Sequence, residues 1–291
     1  MKNGYIFKKN YKDNYKLRTS FNELAIKVYK LNFEDWFQNG YWKDDYIPYS
    51  IIDGEKVVAN VSVNTIDFNC DGRTKHYIQL GTVMTEETYQ NQGLSRVLLE
   101  EIIKEYQDQA DGIYLFANDS VLEFYPKFGF KKSKEYQYSK IVENTDIISA
   151  IRVSMENKSE WEILEDAMKS SICNGSFEMV NNPCLIMFYV TKFMRDCVYY
   201  IKSQDAYVIA QIEEENLLIH NIFSKKMVDL NAVIEEFGCD IKKVTFGFTP
   251  MNVDGYSRSE LHEKNTTLFV RGKEFEDFEN KGKMFPTLSH A

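Results

Sequence analysis

Gln90-Asn91-Gln92-Gly93-Leu94-Ser95 lies between a strand-like run and an amphipathic helix. Upstream, Tyr77-Ile78-Gln79-Leu80-Gly81-Thr82-Val83-Met84-Thr85 reads as an extended apolar segment. Downstream, Leu94, Leu98, Leu99, Ile102, Ile103 and Tyr106 recur at helical spacing. A glycine-bearing loop at a helix N-terminus presents unpaired backbone N–H groups and the positive end of the helix dipole, which together cradle phosphate. Gly93 has no Cβ, so an anion can approach the backbone closely there. Most strand-to-helix turns bind nothing, so one glycine is weak evidence without a second element.

That element is Leu115-Phe116-Ala117-Asn118-Asp119-Ser120-Val121-Leu122-Glu123-Phe124-Tyr125-Pro126-Lys127-Phe128-Gly129-Phe130. A strand, Gly112 to Ala117, feeds a short helix that ends near Gly129, and another apolar run follows. With both segments in order and at this spacing, residues 1–142 resemble the GCN5-related N-acetyltransferases, the GNAT family. There a (Gln/Arg)-x-x-Gly-x-(Gly/Ala) loop holds the pyrophosphate of acetyl-CoA. The next strand ends in a loop that often carries Asn, and a Phe-Tyr-x-x-x-Gly-Phe element comes after it. Two departures stand out: Ser95 replaces the usual final Gly or Ala, and Val83-Met84-Thr85-Glu86-Glu87 lacks the proline common on the approach to the loop.

The resemblance implies acetyl-CoA as acetyl donor and a set of donor contacts. These are Val83, Met84 and Thr85 for the pantetheine arm, Gln90, Asn91, Gln92, Gly93, Leu94, Ser95 and Arg96 for the phosphates, and Asn118 on the next strand's loop. Arg96 either adds a charged contact or points to solvent, and Asn118 is either a CoA contact or a turn residue. Tyr125 is the implied general acid that protonates the departing thiolate, because a phenol is protonated at neutral pH. The competing reading is a core tyrosine beside Phe124, Phe128 and Phe130. No base stands out: Glu86 and Glu87 lie near the loop in sequence, His76 and Gln79 qualify by strand position, and many family members use a water or no dedicated base.

Composition bounds the alternatives. The 291 residues suffice for two domains, and no apolar run approaches the ~20 residues of a bilayer span. No signal-peptide core follows Met1-Lys2-Asn3-Gly4-Tyr5, so a cytoplasmic protein without a membrane partner is expected. The five cysteines (Cys70, Cys173, Cys184, Cys197, Cys239) contain no C-x-x-C pair and read as buried free thiols; the four histidines have no ligand spacing, so no metal is expected. A net charge of −9, of which −7 falls beyond residue 143, argues against nucleic acid. Acidic surface near an acetyltransferase cleft would favour a cationic amine, although ordinary solubility charge explains the same count.

The expected fold class is α/β (α+β): an N-terminal GNAT fold with a mixed, mostly antiparallel sheet flanked by helices, and a C-terminal GNAT-like domain. In residues 1–142 a strand at Tyr5–Asn10 precedes a helix at Tyr15–Leu31, with Leu17, Phe21, Leu24, Val28 and Leu31 on one face. An aromatic element with Trp36, Phe37, Tyr41 and Trp42 comes next, either core or one wall of the acceptor site. Tyr46–Ile52 and Val57–Phe68 pair through Asp53-Gly54, and Tyr136–Val142 closes the domain. Glu143-Asn144-Thr145-Asp146 is the expected boundary.

Residues 147–291 repeat the order of elements: helices at Ser159–Ile172 and Pro183–Met194, strands at Cys197–Ile201, Ala206–Glu213 and Leu217–Ser224, a helix at Leu230–Phe237, a strand at Val244–Phe248 and a late strand at Thr267–Val270. Its loop, Ser224-Lys225-Lys226-Met227-Val228-Asp229, has no glycine, and an Asp229 N-cap would oppose a phosphate. This half is expected to be degenerate and not to bind CoA. The apolar segment Met284 to Ala291 is a candidate to dock in a groove, with its terminal carboxylate a candidate to reach the active site.

The expected activity is acetyl transfer from acetyl-CoA to a primary amine of a small molecule or peptide. The alternative is a non-catalytic CoA-binding or protein-interaction module of the same fold. Tandem-domain aminoacyltransferases that use charged tRNA are a poorer match, because they generally lack a CoA loop and this acidic chain has no basic track. Acceptor identity and oligomeric state leave no mark in the sequence.

Overall fold

The computed structural model describes residues 4–143, 146 and 148–290. Of the expected boundary, Asn144 and Thr145 lie outside the described residues, as does Ile147. The first half runs β1 (Tyr5–Lys9), α1 (Tyr15–Tyr29), α2 (Glu34–Gln38), β2 (Tyr46–Asp53), β3 (Lys56–Cys70), β4 (Arg73–Thr85), α3 (Leu94–Tyr106), β5 (Gly112–Ala117), β6 (Lys131–Lys132) and β7 (Tyr136–Ile141). There follow β8 (Ile151–Arg152), α4 (Lys158–Ser170), β9 (Gly175–Val180), α5 (Pro183–Phe193), β10 (Val198–Ile201), β11 (Ala206–Glu213) and β12 (Asn216–Ser224). The chain continues through α6 (Leu230–Glu235), β13 (Lys243–Phe246), β14 (Thr249–Pro250), β15 (Ser257–Glu260) and β16 (Thr267–Arg271).

Two mixed sheets result. In the first, β1, β2, β3 and β4 form an antiparallel meander, and β5 returns parallel to β4 through α3. In the second, β10, β11 and β12 form the meander and β13 returns parallel to β12 through α6. The halves then exchange a strand. β7, expected as a strand at Tyr136–Val142 that closes the first domain, pairs with β13 in the second sheet, while β16 pairs with β5 in the first. Cutting the chain between 142 and 147 therefore leaves β7 in the second sheet and β9, β14 and β16 in the first, each apart from its own half. The sequence misplaces these strands because alternation specifies which face of a strand is buried and says nothing about its neighbour. β9, absent from the sequence reading, extends the first sheet by pairing with the far end of β3.

Each face of the first sheet is buried. Leu94, Leu98, Leu99 and Ile102 of α3 pack on Val61, Val63, Ile78 and Leu80. On the opposite face Phe21 and Leu24 of α1 join Ile66 and Phe68, in one cluster with Trp161 of α4, Met187 of α5 and Phe285. The halves thus share a core. α1 begins at Asn14, whose side chain accepts the Leu17 N–H at 3.1 Å, a standard N-cap. No helix among the described residues is long and apolar enough to cross a membrane. All five cysteines are free, but only Cys184 is buried; the other four are partly exposed, contrary to the expectation of buried thiols.

Candidate functional site

Parallel pairing of β4 with β5 runs from Tyr77↔Gly112 to Leu80↔Leu115 and stops. Beyond it the two strands diverge, with no proline needed on the approach. A bulge in the β3–β4 ladder falls at the same level, between Asn60 and Ser62, opposite Gly81 to Met84. Thr82 takes a left-handed φ of +48°, unfavourable for a β-branched residue. It is held there by Asn60 Nδ2, which donates to its carbonyl at 2.9 Å, and by the Tyr46 hydroxyl, 2.8 Å from Thr82 Oγ1. After the bulge Met84 pairs with Asn60, so its backbone faces β3 while those of Val83 and Thr85 face the gap. Tyr29 OH donates to the Val83 carbonyl.

α3 opens directly onto this gap. Its N-cap is Gly93, left-handed at φ +76°, and no side chain caps the first turn. The N–H groups of that turn are therefore open to an anion. A Cβ on Gly93 would meet no heavy atom within 4 Å, so the space over the loop is vacant of protein. Asn91 is also left-handed, at φ +59°. Ser95, the departure from the family pattern, places its hydroxyl 2.9 Å from Thr85 Oγ1 and ties the helix start to the strand end.

A cavity of about 880 Å³ joins these parts. Its lining includes Val83, Met84, Thr85, Gln90, Asn91, Gly93, Leu94, Ser95, Arg96, Asn118 and Tyr125. Gln92 is absent from the lining: its side chain turns back to accept from Tyr5 OH at 3.1 Å and to donate to the Thr88 carbonyl. Arg96, in the lining, is half-exposed, its guanidinium 5.5 Å from the Phe128 ring centre and 3.8 Å from Glu100. Asn118 occupies the N-cap position of a short 3-10 turn, but its side chain makes no capping bond. Tyr125 is nearly enclosed, packed on Phe124, Phe130 and Phe269. Burial holds its phenol well above the ordinary range, so it stays protonated.

The rest of the lining is aromatic and reaches into the second half of the chain. Trp36 Nε1 donates to the Cys184 carbonyl at 2.9 Å, fixing α5 against α2. Phe188 then stacks on Phe33 at 5.4 Å and meets Trp36 at 5.5 Å. The segment from Met284 to His290 docks beneath, as its apolar character suggested. Phe285 is fully buried and stacks on Tyr114 at 3.9 Å, and Tyr114 OH donates to the Ser289 carbonyl at 3.2 Å. His290 stacks on Phe116 at 3.8 Å and lines the cavity; burial depresses its pKa to about 4, so it is neutral at pH 7. Ala291, with the carboxylate considered from sequence, lies outside the described residues.

None of the four base candidates lines the cavity. Glu86 is bound by Lys27 and, at 3.3 Å, by Lys56, which hold its carboxyl below the usual range. Glu87 starts a 3-10 turn outside it, and His76 bonds Asp67 at 2.8 Å. Gln79 is buried inside the sheet against Asn64. Proximity in sequence misled for Glu86 because, just past the end of β4, its carboxylate meets lysines from α1 and β3. The sequence reading placed a helix at Pro183–Met194, which is α5, but assigned none of its residues to the site.

The matching position in the second sheet is closed. β12 and β13 pair only to Ile219↔Phe246, and Thr287 sits where they part. Its N–H donates to the Gly247 carbonyl at 2.8 Å, and its hydroxyl lies 2.8 Å from His220 Nδ1. A Cβ on Gly247 would fall 2.5 Å from Thr287 Oγ1, so the gap is already filled. At the start of α6, Asp229 accepts from the N–H groups of Asn231 and Ala232 at 2.9 and 3.4 Å. The expected cap is present and occupies the amides an anion would need.

Residues 16–133 match the family described as the acetyltransferase (GNAT) domain. The match covers the first sheet's α1 to β6 and not the second half of the chain. Among solved structures it is similar to a probable N-acyltransferase from Enterococcus faecalis, at TM-score 0.62 and 14% identity over 92% of this chain and 72% of the other. It is likewise similar to GCN5-related N-acetyltransferases from Kribbella flavida (TM-score 0.54, 13% identity, 92% and 71% covered) and Anabaena variabilis (TM-score 0.54, 14% identity, 91% and 72% covered). These likenesses span both sheets and concern the fold. No curated protein sequence matches the chain.

Proposed function

We propose that this protein is an acetyl-CoA-dependent N-acetyltransferase, with the donor bound between β4 and β5 and its pyrophosphate on the N-terminus of α3. The observation that carries this reading is that the uncapped start of α3, the unpaired edge of β4 beyond Leu80 and the Tyr125 phenol all meet in one cavity. Backbone N–H groups from Gly93 to Arg96 bind the diphosphate, and Arg96 and Lys127, both in the lining, add positive charge. Val83 and Thr85 pair with the pantetheine amides as an absent strand would. Asn118 contacts the same arm.

The amine nitrogen attacks the thioester carbonyl, its C–N bond forms and the C–S bond breaks. Tyr125 gives its phenol proton to the departing thiolate. The surplus proton of the new amide nitrogen leaves to water, from which Tyr125 is reprotonated. Positioning supplies much of the rate, since a bound donor and acceptor react as a single molecule. A cytoplasmic setting suits both the CoA supply and five free thiols.

One observation favours the non-catalytic alternative: among the described residues no Asp or Glu lines the cavity. Thiol release from acetyl-CoA in the presence of a broad amine panel separates the two readings. An N-acetyltransferase releases thiol in proportion to amine, and the Tyr125→Phe variant loses this while still binding acetyl-CoA. Binding with no thiol release from any amine identifies a CoA-binding module.

A further inference from the structure

The cavity has two chemically distinct ends. Around the start of α3 the lining is polar and cationic, with Gln90, Asn91, Ser95, Arg96, Asn118 and Lys127. The other end is walled by Leu31, Phe33, Trp36, Leu185, Phe188 and Tyr189. Phe33, Trp36 and Phe188 are in mutual ring contact and form one continuous aromatic surface rather than separate patches. Phe193, 53% exposed, stands at the rim against Phe188 and Tyr189. His290 and Phe116 close the other side as a stacked pair of uncharged rings. Among the described residues the lining holds no Asp or Glu, although the chain carries 44 of them and a net charge of −9.

A polycationic acceptor needs carboxylates to replace the water it loses, and no described Asp or Glu side chain supplies one at this site. An apolar body gains from the aromatic wall at no such cost. The chamber also acts on the amine itself. A low-polarity environment disfavours the ammonium form, so the amine enters as the neutral nucleophile that the reaction requires.

We propose that the acceptor is a primary amine carried on an aryl-alkyl or branched-alkyl body, seated against the Phe33–Trp36–Phe188 wall with its nitrogen toward the end of the β4–β5 gap. This rests on the acetyltransferase reading and narrows its acceptor.

The test compares thiol release with 2-phenylethylamine and 3-methylbutylamine against spermidine and kanamycin, alongside calorimetric binding of acetyl-CoA. The expected result is kcat/KM at least about tenfold higher for the two apolar amines, the scale on which apolar pockets discriminate. Leu31→Asp places a carboxylate at the chamber and shifts the preference toward spermidine, with the Kd for acetyl-CoA unchanged. Equal or better use of spermidine or kanamycin by the unaltered protein overturns the proposal and leaves the acetyltransferase reading intact. Acetyl-CoA binding without turnover of either apolar amine also overturns it. Failure to bind acetyl-CoA at all overturns the underlying reading, and the proposal with it.

Discussion

Leu80 and Leu115 are the last pair of the parallel ladder between β4 and β5. Where they end, the backbone of Val83 and Thr85 loses a strand partner, and the start of α3 faces the space that opens. The bulge that turns β4 at this level is held by Asn60 and Tyr46, both buried. The site is thus a discontinuity in a sheet, kept open by polar contacts within it.

Gly93 separates backbone strain from ligand contact. Replacing it by Ala or Asp forces a side chain into φ +76°, a strain of roughly 1–2 kcal/mol in either variant. Only Gly93→Asp adds negative charge at the helix N-terminus. The expected outcome is similar loss of thermal stability in both, with acetyl-CoA bound at least about tenfold more weakly by Gly93→Asp than by Gly93→Ala. Equal affinities would remove the phosphate from this loop.

Tyr125→Phe is expected to lower kcat by about 10²–10⁴-fold, the usual worth of a positioned acid, and to leave the Kd for acetyl-CoA within about twofold. Because burial raises the phenol's pKa, the wild-type rate shows no alkaline fall from this group up to about pH 10. A pH–rate profile together with calorimetry checks both halves. An unchanged kcat would return Tyr125 to the core.

Phe285 anchors the segment that closes the cavity. Its ring is fully buried between Tyr114, Phe177 and Phe278, at 3.9, 5.0 and 5.3 Å. Phe285→Ala is expected to cost about 3–5 kcal/mol in urea denaturation, as large-to-small changes in packed cores do. A cost near zero would mean that the segment is undocked in solution.

Glu135 makes the same segment pH-sensitive. Its buried carboxylate accepts the Phe285 N–H at 2.8 Å, and desolvation pushes its pKa up to about 8. The folded state therefore holds this proton more tightly than the unfolded chain. The resulting stability is complete below the unfolded pKa near 4.5 and is lost as pH rises through about 8. Glu178, raised by burial to about 7 and accepting the N–H groups of Asn174 and Gly175, acts in the same direction. Glu135→Gln is expected to match wild type near pH 4.5 and to exceed it by roughly 1–3 kcal/mol near pH 8.5. Parallel stability curves for the two proteins would contradict this.

The central parts of the site were legible because they are local. A glycine at a helix start, the Asp53-Gly54 hairpin and the Asp229 cap each depend on a few adjacent residues, and the structure has all three in place. The exchange of β7 and β16 was not legible, because both are short strands whose partners are fixed by distant packing. Glu86 looked available beside the loop, but its partners Lys27 and Lys56 come from α1 and β3. The aromatic wall was half visible: Trp36 was noted, whereas Phe188 takes on meaning only once α5 is seen against α2.

The most direct measurement is a calorimetric titration of the full-length protein with acetyl-CoA, read for stoichiometry, in wild type and Gly93→Asp. The expected result is one site per chain in the wild type and marked weakening in the variant, because Thr287 and Asp229 already fill the second position. Two sites per chain, no binding, or binding indifferent to Gly93→Asp would contradict the assignment of the donor to the α3 N-terminus.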